Sequence, residues 1–98
     1  MILVTGSIVA KPGHVDALLA LSLAHVRRSR TEPGCLAHAV HRDTENPLRL
    51  VFVEEWLDQA SLQQHFKVPA SRAFAKALAE LASQAPTMAV YEAAKLGA

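Results

Sequence analysis

Cysteine is nearly absent from this sequence of 98 residues. The lone Cys35 cannot form a disulfide within the chain, and the first residues lack the basic segment and small-residue cleavage site of a signal peptide. We therefore expect a cytoplasmic, reducing location. No apolar run approaches the ~20 residues that a membrane-spanning helix needs, so the sequence gives no reason to expect a membrane partner.

An excess of charge of either sign is also lacking. Ten Lys and Arg residues against nine Asp and Glu residues leave a formal net charge of +1, which argues against nucleic acid as a partner. Because 51% of the residues are apolar, the chain is rich enough in core-forming side chains to exclude a disordered class. Its length predicts a single domain over residues 1–98, small enough that a partner subunit often completes the burial.

The hydrophobic periodicity predicts alternating strands and helices. Apolar positions at three- and four-residue steps from Val15 indicate an amphipathic helix, which Glu32-Pro33-Gly34 ends. Asp58 is a good N-cap and Pro69 a good first-turn residue for later helices. The predicted strands cover residues 2–10, 35–42, 49–57 and 87–94, and a loop over residues 43–47 joins the second and third.

The order of strand, helix, strand, strand, helix, strand predicts an α+β, ferredoxin-like split βαβ fold. In the third strand Phe52, Glu54 and Trp56 should share one face, whereas Val51 and Val53 should share the other. Helices can cover only one face of the sheet. A homodimer in which the second subunit covers the other face, as in a dimeric α/β barrel, is therefore expected.

Several short motifs resemble one known family, and they are spread over nearly the whole chain. They are Glu32-Pro33-Gly34-Cys35-Leu36-Ala37-His38, Arg42-Asp43, Pro47, Glu54-Glu55-Trp56, Ala60, Leu62, His65 and Phe74. In this pattern the chain resembles the antibiotic-biosynthesis monooxygenases, including the small quinol monooxygenases. The resemblance implies dimers with a hydrophobic pocket in each subunit. It also implies oxidation of phenolic or quinol substrates by O₂ without a metal or a bound flavin.

The same resemblance suggests the site residues. The family's acidic residue two positions before the aromatic corresponds to Glu54, the aromatic to Trp56, and the helix-borne histidine to His65. Two positions depart from the pattern, since His38 stands where an aromatic is common and Ala70 where a second histidine is often found. The haem-degrading branch is similar in Trp56 and His65 but uses an Asn in its first strand that this chain does not offer.

His65 is the expected general base, because an imidazole titrates near neutral pH and can remove a phenolic proton. The alternative is a histidine that only caps the end of a helix. Glu54 could orient His65 or accept a substrate proton, or it could form a structural ion pair with Arg49, Arg42 or an Arg of the partner subunit.

Four further expectations concern the pocket and the remaining histidines. Trp56, Phe52 and Phe74 should shape a pocket for a flat ligand, although a buried Trp is more often plain core. His38 should share a face with Leu36 and Val40 and enter the pocket. His41 should point to the opposite face, as a helix-facing or edge residue. His14 and His25 are expected at the surface. Cys35 is expected to be a small buried hydrophobe.

The leading functional hypothesis is a cofactor-independent monooxygenase that oxidises a small quinol- or anthrone-like aromatic substrate. Because the sequence shows no metal-ligand spacing and no phosphate-binding glycine loop, we expect no flavin, haem or stoichiometric metal. One alternative is an isomerase of the same fold, similar to the autoinducer-processing relatives, which would need Arg49 or Arg72 to face inward. The other is a non-enzymatic dimer that binds a small apolar ligand.

Overall fold

The computed structural model describes residues 1–97 and has the predicted order of elements, with the second helical region divided at Val68 into the two helices that Asp58 and Pro69 predict. The strands are β1 (Ile2–Val9), β2 (Cys35–Arg42), β3 (Arg49–Trp56) and β4 (Thr87–Glu92). The helices are α1 (Val15–Ser29), α2 (Gln59–Lys67) and α3 (Pro69–Leu81). The expected α+β, ferredoxin-like fold is confirmed.

The four strands form one antiparallel sheet in the order β2-β3-β1-β4. β1 and β3 occupy its centre, with Ile2 opposite Trp56 and Val9 opposite Arg49. Their even-numbered side chains form the core, because α1, α2 and α3 all pack on that face. The alternation predicted for β3 is confirmed, since Phe52, Glu54 and Trp56 are buried together.

Both predicted helix starts are present. Asp58 accepts a hydrogen bond from the backbone nitrogen of Ser61 at 2.8 Å, which satisfies one of the unpaired donors at the beginning of α2. Pro69 occupies the first turn of α3, where its missing N–H costs nothing. In the part of the chain that the structure describes, no helix is long and apolar enough to cross a membrane.

The other face of the sheet carries odd-numbered side chains that the helices leave uncovered. Val51 and Val53 on β3 are half-buried there, and Tyr91 on β4 is 52% exposed. One strand departs from the predicted alternation. The register of β2 against β3 shifts between Cys35 and Ala37, so Leu36 is exposed while His38 is buried. The expectation that these two residues share a face is therefore wrong, because a bulge resets the alternation between them.

Candidate functional site

A cavity of about 400 Å³ opens between the helices and the core face of the sheet. Its wall is predominantly apolar, which suits a small organic ligand. Polar side chains reach it from the sheet and from all three helices. The residues that line it include Phe52, Glu54, His65, Phe74, His25, Ser71, Arg72 and Met88.

His65 lies on α2, is 4% exposed, and contributes to this wall. Its Nδ1 lies 2.7 Å from Oε1 of Glu32, a short, charge-assisted contact. An ionised carboxylate only accepts hydrogen bonds, so Nδ1 of His65 is the donor, and in the neutral ring Nε2 keeps the lone pair. The side chain is thus held by a specific partner, and the helix-cap alternative does not describe it.

Glu32 was not expected in the site, and its position depends on the turn that follows α1. Gly34 has a φ of 81°, in the left-handed region that favours glycine. A Cβ there would overlap the hydroxyl of Ser61 at the start of α2. The turn therefore packs directly against α2. This packing places Glu32 beside His65, which lies one helical turn after Ser61.

Glu54 lies on β3 and is held by two partners on neighbouring positions of the sheet. The indole nitrogen of Trp56 donates a hydrogen bond to Oε1 of Glu54 at 2.9 Å, and Nε2 of His38 lies 3.2 Å from the same oxygen. Burial raises the pKa of Glu54, but His38 and the Trp56 indole outweigh it and hold that pKa below its usual value. The carboxylate is therefore stabilised in its ionised form.

Glu54 does not pair with Arg49 or Arg42, the two arginines of its own chain that the sequence suggests as partners. Arg49 pairs with Asp43 at 3.1 Å, and Arg42 lies 3.9 Å from Asp16. Glu54 lines the cavity beside His65, but it is Glu32 that holds the His65 ring.

Trp56 and His38 lie behind the cavity wall. Trp56 is fully buried, and its ring centroid lies 4.7 Å from that of His65. His38 is 1% exposed and contacts Trp56 edge-on at 6.3 Å between centroids. Neither residue lines the cavity, whereas Phe52 and Phe74 do. Trp56 and His38 therefore support the lining residues.

The expectation that His25 is a surface residue is wrong, because it is 5% exposed. Its ring stacks on Phe74 at 4.0 Å, and Nη2 of Arg28 donates to its Nδ1 at 2.9 Å. Burial first, and then His38, His65 and Arg28, lower the pKa of His25 to about 3, so the ring is neutral. His25 lies three residues after the buried Ser22, so it belongs to the face of α1 that packs on the sheet.

The positions of three other residues can be compared with those expected from the sequence. His14 and His41 are exposed, as expected for residues outside the site. Cys35 is half-buried and packs against the cluster around Trp56, and burial raises the pKa of its thiol. A reactive cysteine is not part of this arrangement.

The fold and site together define a small ferredoxin-like α+β domain with a ligand cavity walled by histidine, carboxylate and aromatic side chains. Residues 1–77 match the model of the antibiotic biosynthesis monooxygenase family, and the chain belongs to that family.

The chain is also similar to individual proteins. A crystal structure of an antibiotic biosynthesis monooxygenase is similar at 29% identity and a TM-score of 0.89, covering 97% of this chain and 100% of that one. A Deinococcus radiodurans protein shares 24% identity with a TM-score of 0.94, covering 100% and 97%, and shows the common fold. An uncharacterised Synechocystis protein is 30% identical over 94 residues, which are 96% of this chain but only 64% of that protein.

Proposed function

We propose that this protein is a cofactor-independent monooxygenase that oxidises a small quinol- or anthrone-like aromatic substrate with O₂. Membership of the family and the likeness to a structure named as a monooxygenase support a general monooxygenase-like role. The observation that carries the finer proposal is His65 in the wall of an apolar cavity, with its ring held from behind by Glu32. This pair leaves one imidazole lone pair available next to the space for an aromatic ring.

The chemistry follows from that arrangement. Nε2 of His65 takes the phenolic proton, and Glu32 stabilises the imidazolium that forms. The resulting anion is electron-rich enough to reduce O₂. One oxygen atom enters the substrate and the other leaves as water, with all four electrons supplied by the substrate. Phe52 and Phe74 supply apolar contacts for the ring, and their rings lie 6.2 Å apart.

Glu54 contributes a fixed negative charge to the same wall. The ionised carboxylate is oriented by Trp56 and His38, so it can accept a hydrogen bond from a second hydroxyl of a quinol. Its position favours a diol or hydroxyketone substrate over a simple hydrocarbon. Trp56 and His38 are positioning residues in this account.

A second copy of the chain is the proposed partner. The uncovered face of the sheet carries Val51, Val53 and Tyr91, which are at least partly exposed in a single subunit. Burying such a face between two sheets would remove apolar surface from water at roughly 25 cal/mol per Å². A homodimer is the arrangement that does so with one self-complementary surface.

One observation favours a second candidate function. Arg72 lines the cavity, as an isomerase acting on a phosphorylated or hydroxylated ketone would require, whereas Arg49 is engaged with Asp43. Such an isomerase would rearrange its substrate without consuming O₂. Oxygen uptake therefore separates the two functions.

The direct test is oxygen consumption by the purified protein with a panel of hydroquinones and anthrones, each compared with its rate of autoxidation. With ¹⁸O₂ we expect one labelled atom in the product and one in water. If no member of the panel is oxidised faster than without protein, or if both labelled atoms are recovered as peroxide, the proposed reaction is wrong.

A further inference from the structure

Three histidines from three different elements point their rings toward one another beside the cavity. His25 comes from α1, His38 from β2 and His65 from α2, and their ring centroids are 5.2–5.7 Å apart. Each ring offers one nitrogen, and these nitrogens all lie within 4.8 Å of one another. The three residues are far apart in sequence, so no spacing rule for metal ligands would detect them.

One of the rings has the carboxylate support that metal-bound histidines characteristically have, and a second has a carboxylate oxygen close by. Glu32 holds Nδ1 of His65 at 2.7 Å, which leaves Nε2 of His65 as the free nitrogen. Oε1 of Glu54 lies 3.2 Å from Nε2 of His38, although the contact is poorly aligned for a hydrogen bond. Nδ1 of His38 is buried with no hydrogen-bond partner among the described residues. A buried imidazole nitrogen without a partner is costly unless something binds it.

We propose that His25, His38 and His65 form a binding site for a divalent transition-metal ion such as Zn²⁺, Co²⁺ or Cu²⁺. Imidazole nitrogens suit these ions, and a three-histidine set leaves a fourth coordination position open. Zn–N bonds of about 2.0–2.1 Å in a tetrahedral site place the nitrogens about 3.3 Å apart. Ring movements of less than about 1 Å close the cluster to that spacing. Since His25 and His65 line the cavity, the fourth position faces the cavity.

Arg28 opposes the binding of this ion. Its guanidinium donates to Nδ1 of His25 at 2.9 Å, so the proton of the neutral His25 ring sits on Nε2. For Nε2 to bind a metal, that proton must move to Nδ1 and Arg28 must withdraw. The guanidinium also repels a divalent cation a few ångströms away. Removing Arg28 should therefore strengthen metal binding, an effect that a histidine cluster with only a packing role would not show.

Metal binding has a consequence for the chemistry of the cavity. An ion that takes the lone pair of His65 Nε2 prevents this nitrogen from accepting a proton. This consequence rests on the proposed function of His65, whereas the binding itself does not. Metal binding is therefore measured without substrate, so that its failure and the failure of the monooxygenase proposal remain distinguishable.

The test uses the full chain after dialysis against EDTA. Titration with Co²⁺ should give visible absorption bands of a four- or five-coordinate nitrogen site, and equilibrium dialysis with Zn²⁺ should give one ion per chain. His38→Gln should weaken Zn²⁺ binding at least tenfold, and the matched variant His14→Gln, at an exposed histidine, should bind as the unaltered chain does. Arg28→Gln should bind Zn²⁺ about tenfold more tightly or better.

The folded state of every variant is checked by circular dichroism and thermal unfolding. Equal Zn²⁺ affinity in folded His38→Gln and in the unaltered chain would overturn the proposal. Binding lost equally in His14→Gln would do the same, since it would place the ion at the surface. If His38→Gln fails to fold, Arg28→Gln decides the matter, because unchanged or weaker binding there contradicts the site.

Discussion

The hydrogen bond between Glu32 and His65 is the contact whose removal should have the most specific effect on activity. In Glu32→Gln the side chain keeps its length and its ability to accept from Nδ1 of His65, but it loses the negative charge. Charge-assisted hydrogen bonds contribute about 1.5–3 kcal/mol, against about 1 kcal/mol for a neutral one. Because about 1.4 kcal/mol corresponds to a tenfold change in rate, this difference of about 0.5–2 kcal/mol should lower kcat by roughly 2- to 30-fold when the charge that stabilises the imidazolium is lost.

The loss should appear in kcat and not in KM. Glu32 is not among the residues that line the main cavity, so substrate contacts are unchanged. Steady-state oxygen uptake with a hydroquinone that the protein oxidises gives both constants. Glu32→Asp, which keeps the charge at a shorter reach, should recover part of the loss. Glu45→Gln, at an exposed loop residue, should behave as the unaltered chain does.

An unchanged kcat in folded Glu32→Gln would contradict the role proposed for Glu32, because it would mean that the carboxylate does not assist His65. A raised KM with kcat unaffected would also contradict it, since that pattern indicates lost substrate binding. Thermal unfolding on the same samples separates either result from a general loss of structure.

Three further predictions concern stability and assembly. In EDTA-treated protein the free energy of unfolding should fall as the pH drops from about 6.5 toward 3, by up to about 1.4 kcal/mol per pH unit. The reason is that the unfolded chain takes up a proton that folded His25, with its pKa lowered to about 3, does not bind. His25→Phe should flatten the pH profile of stability measured by urea unfolding. Gly34→Ala should destabilise the protein more than Gly13→Ala, since both glycines have φ above 80° but only Gly34 lacks room for a Cβ. Equal losses of stability in thermal unfolding would contradict the close packing of the Gly34 turn against α2. Sedimentation at micromolar concentration should report about twice the 10.6 kDa chain mass, and Val53→Glu should reduce it to the monomer; a stable monomer in the unaltered chain would remove the argument from the uncovered sheet face.

Much of the fold could be predicted because its signals are local. The alternation in β3, the N-cap Asp58 and the first-turn Pro69 each depend on neighbouring residues, and the structure has all three. The position of His38 could not be inferred by the same rule. The register shift at Cys35 and Ala37 depends on how β2 pairs with β3, which alternation along one strand does not reveal.

The site was predicted in part, and the omissions have physical causes. Glu54 and His65 were expected on the wall of the pocket, and both lie there. His25 shares the buried face of α1 with Ser22 and Val26, but hydrophobic periodicity does not detect it, because histidine is a polar residue. Glu32 lies in the turn after α1, where no helical or strand periodicity predicts which way a side chain points. Its contact with His65 spans 33 residues and depends on the packing of the Gly34 turn against α2.

Turnover of an oxidisable phenol by His65→Asn decides whether His65 is the general base. The amide nitrogen of asparagine can replace Nδ1 as the donor to Glu32, so the buried carboxylate keeps a partner while the basic Nε2 is removed. We expect turnover to fall by ~10²–10⁴-fold, the usual contribution of a positioned general base, with little change in the unfolding midpoint. Turnover that survives in the folded variant would contradict the assignment of His65 as the base.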